Sequence, residues 1–294
     1  MITKLKQRIK SVPVVGPLVE QRRLARKFAT ERSLLNGEDL SQSTHPSIIH
    51  YSLNKSATQY VKKLLTTCIL EQGMVPVYIQ DYAFASELPY LDDLSAEEMQ
   101  PYKHVFKPQG YLYSAFGGMV EGIDQLDQYR VVLMTRDPRD ILVSDYYSNA
   151  YSHPEPPQVS SKSGRFHNLR NQALEQTVDE FAIEQCELVR TNLLRYRDRL
   201  LTQHPKTYMT KYGDMVTHFE QWLSDLLRAC ELEVSEALKN QLIEQHYASR
   251  PRIENINSQL RKGVTGDYKN KLREETINTL NEKLSDVLEY YQYA

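Results

Sequence analysis

A lysine and two hydroxyl residues stand in a short stretch with the composition of a phosphate-binding loop. Lys55, Ser56 and Thr58 follow the apolar run Ile48-Ile49 and precede a helical pattern. Free backbone N–H groups and the helix dipole favour an anion at a helix N-terminus, and Lys55 adds a positive charge there. The loop has no glycine, whereas loops that wrap ATP or GTP read G-x-x-x-x-G-K-[ST]. It is therefore a candidate phosphate site, but not that of an ATPase or GTPase, and a plain helix cap is the alternative.

Two more cationic pieces occur further along the chain. Arg136 stands eight residues before Ser144, about two turns into a predicted helix, and a planar guanidinium suits a phosphate. Arg261 and Lys262 abut Gly263, and a glycine lets backbone N–H groups approach an anion closely. Taken alone, the second piece is also explained by a buried Arg–Asp pair that braces the helix, and the third is better explained by a solvated basic turn.

Strand and helix patterns alternate along the chain, and each cationic piece lies at the edge of such an element. Predicted strands cover residues 47–52, 75–79, 110–113, 130–135 and 207–212. Such alternation predicts a mostly parallel sheet flanked by helices, with ligands bound where strands end and helices begin. We expect a single α/β domain over residues 47–294, preceded by a helical extension and linker over residues 1–46.

Composition sets the class of protein. The 294 residues are 40% apolar and 25% charged, and the net charge is −2, which offers no electrostatic case for nucleic acid. Cys68, Cys186 and Cys230 have neither disulfide nor zinc spacing, which favours reduced thiols. There is neither an apolar run of membrane-spanning length nor a signal peptide. We expect a cytoplasmic protein without stable membrane insertion, and the sequence leaves its oligomeric state open.

Together the three pieces resemble the nucleotide-binding elements of sulfotransferases that use 3′-phosphoadenosine 5′-phosphosulfate (PAPS). The family's first element reads like P-K-S-G-T-T-W, and residues 54–60 are similar. Its second element places an Arg eight residues before a Ser, and its third, R-K-G-x-x-G-D-W-K-N, is met by residues 261–270 with Tyr268 in place of Trp. The resemblance covers roughly residues 47–290. It implies a P-loop-like sulfotransferase fold of the nucleotide-kinase type and no metal.

The resemblance also implies roles for individual residues. Lys55 would neutralise the oxygen from which the sulfuryl group leaves, which stabilises charge that develops there. The 5′-phosphate would be held by Ser56, Ala57, Thr58 and Gln59. The 3′-phosphate would be held by Arg136, Ser144, Arg261, Lys262 and Gly263. Tyr60 and Tyr212 would lie near the adenine.

The chain departs from the family pattern at the base that takes the acceptor's proton. Cytosolic members carry a Thr-His pair about twenty residues before the Arg of the second element, whereas that region here is 113–116, Tyr-Ser-Ala-Phe. Asp81 is placed like the acidic residue of other branches and is the first candidate, with His104 and His153 as alternatives. The predicted catalytic set is therefore Lys55, Ser144 and a base, Asp81 or His104.

Two smaller departures concern the first and third elements. Ala57 stands where the family has a glycine, and we expect a tolerated but slightly altered loop. The dimerisation pattern K-x-x-x-T-V-x-x-x-E is not intact at residues 269–278, so the dimer of many cytosolic members is not expected here.

Three functions remain open at this stage. The first is sulfation of a hydroxyl or amine on a small molecule. The acidic, tyrosine-rich residues 80–102 would suit a cationic acceptor, such as an amine or guanidinium natural product, in bacterial natural-product biosynthesis. The second is a carbohydrate or lipid sulfotransferase, which a basic groove would favour. The third is a non-catalytic protein that binds an adenosine phosphate, suggested by the missing histidine, but retention of Lys55, Arg136, Ser144 and Arg261 argues against it.

Overall fold

The computed structural model describes residues 15–156, 163–249, 254–258 and 261–294. Its strands are β1 (Ile48–Ser52), β2 (Val75–Val77), β3 (Tyr111–Phe116), β4 (Arg130–Thr135) and β5 (Tyr208–Lys211). Within the described residues they form one five-stranded sheet in the order β2-β3-β1-β4-β5, and every neighbouring pair is parallel. The prediction of a single α/β domain with a central parallel sheet is confirmed.

Helices precede and separate the strands. In the first half of the chain they are α1 (Val15–Lys27), α2 (Ala29–Leu35), α3 (Thr58–Ile69), α4 (Ile79–Ala85) and α5 (Pro138–Tyr147). In the second half they are α6 (Ser163–Glu175), α7 (Val178–Arg195), α8 (Tyr212–Thr217), α9 (Phe219–Ala229), α10 (Glu236–Ala248), α11 (Tyr268–Lys271), α12 (Glu274–Lys283) and α13 (Ser285–Tyr290). Short 3₁₀ segments span Leu70–Gln72, Gln100–Val105 and Leu126–Gln128, and π-helical turns follow α5 (Ser148–Ser152) and α7 (Tyr196–Leu201).

Helices cover both faces of the sheet, which explains why the central strands are apolar on both sides. In β1, Ile49 belongs to one buried cluster together with Leu133 of β4, and Ile48 belongs to a second together with Val132. Helices α5 and α7 contribute to the first cluster, and α3 and α9 contribute to the second. Each face therefore has its own core, and the loops at the ends of the strands lie between the two layers of helices.

Local sequence signals fix most element boundaries. Asp137 is the N-cap of α5, where its side chain accepts a hydrogen bond from the Arg139 N–H, and Pro138 occupies the first turn, as predicted. Two predicted strands are too long, because Ile79 begins α4 and Tyr212 begins α8. Each of these helices starts almost directly after its strand, so in the sequence Ile79 and Tyr212 look like the last residues of the strands.

The N-terminal helices contact the domain through a buried carboxylate. Glu31 on α2 is 2% exposed, and its Oε1 accepts a hydrogen bond from the Tyr78 N–H at 2.6 Å, just before α4. Residues 1–14 lie outside the described residues, and the division of the chain at residue 46 stays a prediction. Cys68, Cys186 and Cys230 are buried and form no disulfide. Among the helices described, none combines the length and apolarity needed to cross a membrane.

Candidate functional site

The sheet order brings three loops together at one edge. β1, β4 and β5 are neighbours, and their carboxyl ends lead into the first loop (residues 53–57), Arg136 and Tyr212. In parallel sheets this edge carries the ligand site, because the following helices present their N-termini there. The three junctions therefore meet at one place, although they are far apart in sequence.

The backbone of the first loop adopts glycine-like conformations without glycine. Lys55 has φ of 71°, and Ala57, the N-cap of α3, has φ of 61° and ψ of 26°. A side chain in this left-handed region costs on the order of 1–3 kcal/mol, so the surrounding structure must hold the loop in place. The glycine-free loop therefore adopts backbone angles that glycine would adopt without strain, at a cost in stability.

The hydroxyl groups of the first loop differ in their partners. Thr58 Oγ1 lies 3.0 Å from Ser52 Oγ, which joins the start of α3 to the end of β1. The Oγ of Ser56 is fully buried, yet it has no hydrogen-bond partner among the described residues. Such a buried unpaired hydroxyl is uncommon and is expected where a bound group would satisfy it. Gln59 is exposed on the first turn of α3.

Lys55 is half-buried, and its ammonium points to the helix after β4. Its Nζ donates a hydrogen bond to Ser148 Oγ, in the π-helical turn that follows α5. Burial lowers the pKa of Lys55, the nearby Asp145 opposes that shift, and Arg136 adds to it. Ser148 and Asp145 were not predicted as site residues, since nothing in their local sequence distinguishes them from ordinary helix residues.

Arg136 joins all three cationic pieces. Its Nη1 donates to the carbonyl oxygen of Lys55 at 2.8 Å, and its Nη2 lies 3.4 Å from the carbonyl oxygen of Val264. The guanidinium carbon lies 4.3 Å from the centre of the Tyr212 ring. Arg136 is 8% exposed, and its Nε has no partner in the described part of the chain. One buried cation therefore fixes the relative positions of the first loop, residue 264 and the β5 junction.

The third cationic piece is the basic segment (residues 261–268), and its charges are already paired. Arg261 is 9% exposed, donates to Glu254 and Asp267, and lies over the Tyr147 ring at 4.6 Å. Lys262 Nζ lies 2.8 Å from Asp267. Burial raises the pKa of Asp267, but hydrogen bonds from Lys262 and Arg261 outweigh it and lower that pKa below its ordinary value. The alternative reading of this segment as a solvated basic turn is wrong, because its charges form an ion-pair network.

Asp140 attaches the basic segment to the N-terminus of α5. Its two carboxylate oxygens accept hydrogen bonds from the Gly266 N–H at 2.7 Å and the Tyr268 N–H at 3.0 Å. It also lies 3.9 Å from Arg136. Ser144 is half-buried one turn further along α5, and Gly263 has φ of 67°. The second and third predicted pieces are thus held side by side.

The two tyrosines expected near the adenine differ in their surroundings. Tyr212 is buried under the Arg136 guanidinium, at the centre of the site. The Tyr60 hydroxyl lies 2.8 Å from His246 Nδ1, and the Tyr60 ring meets Phe219 edge-on at 6.3 Å. Tyr60 therefore belongs to an aromatic group that covers α3, and its role toward adenine stays a prediction.

The predicted base candidates also lie in different surroundings. Both carboxylate oxygens of Asp81, on α4, accept from Lys62 Nζ at 2.9 and 2.7 Å. His104 Nε2 donates to the Leu35 carbonyl at 3.0 Å. His153 lies close enough to Lys55 for that ammonium to lower its pKa. Of the three, only His153 is linked to the first loop by the described contacts, because its N–H donates to the carbonyl oxygen of Ser148, whose Oγ accepts from Lys55.

No cluster of His, Cys, Asp and Glu suited to a metal ion occurs within residues 15–156, 163–249, 254–258 and 261–294. The cationic charge at the edge of the sheet is supplied instead by Lys55, Arg136, Arg261 and Lys262.

Comparisons with known proteins agree with this arrangement. The family model described as a sulfotransferase domain matches residues 123–290, which include the second and third cationic pieces. No curated protein matches the chain.

Among solved structures, mouse sulfotransferase SULT7A1 complexed with PAP is similar, with 17% identity, a TM-score of 0.55, and coverage of 87% of this chain and 89% of that one. Sulfotransferase STF9 from Mycobacterium avium has 9% identity, a TM-score of 0.47, and coverage of 91% and 81%. The likeness to the mouse protein, at this level of identity, concerns the fold.

Proposed function

The chain belongs to the sulfotransferase family, and we propose that it transfers a sulfuryl group from PAPS to a hydroxyl or amine of a small molecule. The contacts of Arg136 carry the proposal. Its guanidinium donates hydrogen bonds to the first loop and to residue 264, and it lies over the Tyr212 ring. A ligand with phosphates at both ends of a nucleoside would need cations from separate parts of the chain in one place. The mouse relative is complexed with PAP. PAP is 3′-phosphoadenosine 5′-phosphate, the nucleotide product of such a transfer.

The described residues fit this nucleotide. Buried polar atoms without partners are expected where a ligand binds, and both Ser56 Oγ and Arg136 Nε are of this kind among the residues described. The first turn of α3 adds backbone N–H groups that have no intrahelical acceptor. We infer that the first loop holds the 5′-phosphate and that Arg136, Ser144 and the basic segment hold the 3′-phosphate. PAPS supplies an activated sulfuryl group when bound.

Lys55 would carry the main catalytic charge. Its ammonium is held by Ser148 Oγ, and the Asp145 carboxylate counters the effect of burial on its pKa. A charged Lys55 at the end of the first loop can stabilise negative charge that develops on a leaving oxygen. An intact lysine in this position supports an enzyme over a protein that only binds the nucleotide.

The acceptor class is proposed from the acidic residues 80–102. Asp81 is paired with Lys62, and Asp92 is 6% exposed and accepts from the Gly118 N–H at 2.7 Å. Asp93 and Glu98 instead line an open cavity of about 480 Å³. Because that cavity also contains Arg195 and Arg199, its charge is mixed. We retain a cationic amine or guanidinium natural product as the proposed acceptor, and a cytoplasmic location, which suits the three buried free thiols.

Transfer is tested with PAPS and a panel of small acceptors. The panel contains phenol, tyramine, agmatine and glucose, and the products are analysed by mass spectrometry for one added sulfuryl group. We expect the added mass on tyramine or agmatine, and none when PAPS is omitted. Sulfation of glucose with no product from the amines would contradict the acceptor class. Failure to release PAP from PAPS under any condition would contradict the proposed activity.

A further inference from the structure

We propose that His153 is the base that accepts the acceptor's proton, an assignment that rests on the proposed sulfuryl transfer. His153 directly follows the π-helical turn Ser148–Ser152, on a different element from the Thr-His pair of cytosolic sulfotransferases. The missing histidine at residues 113–116 is then replaced by one that follows α5 and its π-helical turn.

Ser148 connects Lys55 and His153 directly. Its Oγ accepts the hydrogen bond from Lys55 Nζ, and its carbonyl oxygen accepts from the His153 N–H at 2.8 Å. The π-helical turn therefore fixes the backbone of His153 with respect to the residue that holds Lys55. A base must lie in the same part of the site as the group on which bonds change, and the shared contacts of Ser148 hold the His153 backbone and the Lys55 ammonium close together.

The imidazole of His153 is oriented for proton acceptance. Its Nδ1 lies 2.9 Å from the carbonyl oxygen of Pro154, so the Nδ1–H donates and the neutral ring carries its lone pair on Nε2. Phe84 on α4 and Phe166 on α6 flank the ring, with centroid distances of 6.0 and 5.6 Å. Two aromatic neighbours and one carbonyl thus restrict both the tautomer and the tilt of the ring.

Burial and the surrounding charges together lower the pKa of His153, which favours the neutral imidazole that a base requires. Burial lowers its pKa, the bond to Pro154 opposes that, Lys55 lowers it further, Asp145 raises it and Arg170 lowers it. Arg170, from α6, also donates to the His153 carbonyl at 2.6 Å and lies 3.4 Å from Glu155. Asp145 lies near both Lys55 and His153, so it can stabilise the imidazolium that forms when the proton arrives.

In the proposed step, the acceptor oxygen or nitrogen forms a bond to sulfur and gives its proton to Nε2 of His153. The bond between sulfur and the bridging oxygen breaks, its electron pair stays on that oxygen, and Lys55 neutralises the charge. Asp81 is less suited to this role, because both of its oxygens are bonded to Lys62.

The test compares wild-type protein with His153→Gln and with His204→Gln. His204 is a histidine near the surface that pairs with Asp127, outside the proposed site. PAP binding is measured by calorimetry, and PAP release from PAPS is followed across pH with phenol, tyramine or water as acceptor. We expect the PAP affinity of His153→Gln to lie within about threefold of wild type. Its rate of forming PAP from PAPS should be about 100-fold lower. The acidic fall of kcat/KM, which should lie below the ordinary histidine range because the pKa of His153 is lowered, should disappear in this variant only.

The results distinguish a failure of the proposed sulfuryl transfer from a failure of His153 as its base. If wild-type protein fails to bind PAP, the proposed function fails and this assignment fails with it. If wild type binds PAP but His153→Gln forms PAP from PAPS at the wild-type rate, only the base assignment is wrong. The same holds if kcat/KM of this variant still falls in acid.

A measurement without turnover uses histidine nitrogen NMR, with the His153 signals identified from their loss in His153→Gln. We expect the Nδ1–H tautomer, and a higher pKa for His153 in Lys55→Met than in wild type, since the ammonium lowers it. An Nε2–H tautomer would overturn the assignment.

Discussion

The first loop and the basic segment both supply positive charge, but the protein holds the two in different ways. In the first loop, Lys55 and Ala57 have left-handed backbones, and the Ser56 hydroxyl is buried without a partner among the described residues. In the basic segment, Arg261 and Lys262 are bonded to Asp267 and Glu254. The first region carries strain and an unsatisfied group, whereas the second is a closed ion-pair network.

This difference assigns different tasks to the two regions. The first loop holds one lysine whose ammonium is bonded to a neutral hydroxyl rather than to a carboxylate, so its positive charge is available to stabilise charge that develops during the reaction. In the basic segment, the carboxylates hold the cations in fixed positions. These side chains therefore lose less conformational entropy when a ligand binds. We therefore expect changes in the first loop to alter the rate, and changes in the basic segment to alter stability and affinity.

The largest effect is expected for Lys55→Met. Removing a positioned cation from developing charge costs about 10²–10³ in rate, so kcat should fall about 1,000-fold while PAP affinity changes by only a few-fold. The matched control is Lys63→Met, an exposed lysine on α3, which should keep the wild-type rate. Rates and affinities come from PAP release and calorimetry. A variant with weaker PAP binding but normal kcat would place Lys55 in binding rather than in the reaction.

The next largest effect is expected for Asp267→Asn. This change leaves Arg261 buried without its main counter-charge, which should lower the free energy of unfolding by about 3 kcal/mol. The control is Asp225→Asn, which breaks the more exposed pair with Arg228 and should cost below about 1 kcal/mol. Urea unfolding measures both variants. Equal losses would show that the network is no more than a surface pair.

The same substitution should matter less in acid. The pKa of Asp267 is lowered in the folded protein, so its stabilisation is fully present above the ordinary carboxyl pKa and is lost as pH falls through the folded value. The difference in unfolding free energy between wild type and Asp267→Asn should therefore shrink below about pH 4. Urea unfolding at pH 7 and at pH 3.5 gives the comparison, and a gap that widens in acid would reverse the sign of this pKa shift.

The smallest effect is expected for Ala57→Gly. Glycine adopts the left-handed region without strain, so the variant should gain up to about 1 kcal/mol of stability. Ala237→Gly, at an exposed position on α10, should lose about 0.5–1 kcal/mol. Opposite signs in thermal melts would confirm strain at residue 57. Loss of stability in both variants would show that the alanine fits its loop without strain.

Much of the fold and the site was predictable because the signals are local. An apolar run such as residues 130–135 marks a buried strand, and Asp137-Pro138 marks the helix that follows it. Three short motifs identified the cationic pieces, and adjacent parallel strands bring their junctions together. The hydrogen bonds from Arg136 to the first loop and to residue 264 agree with this reasoning. The bonds themselves could be identified only from the structure.

The remaining features depend on contacts between distant residues. Asp81 looks like an isolated turn carboxylate in the sequence, and its partner Lys62 lies on another helix. Ser148 is an ordinary serine until the π-helical turn points it at Lys55. The carboxylates that pair with Arg261 were not predicted either, because ion pairing depends on how the segment folds back on itself.

The central claim is that the first loop, Arg136 and the basic segment form one site for a nucleotide with phosphates at both its 5′ and 3′ positions. Calorimetry with wild-type protein tests it directly, with PAP, adenosine 5′-phosphate and ATP plus magnesium as separate ligands. We predict that PAP binds at least about 100-fold more tightly than the other two, because only PAP engages both cationic regions. Equal affinity for PAP and adenosine 5′-phosphate would contradict the claim, because the basic segment would then take no part in binding.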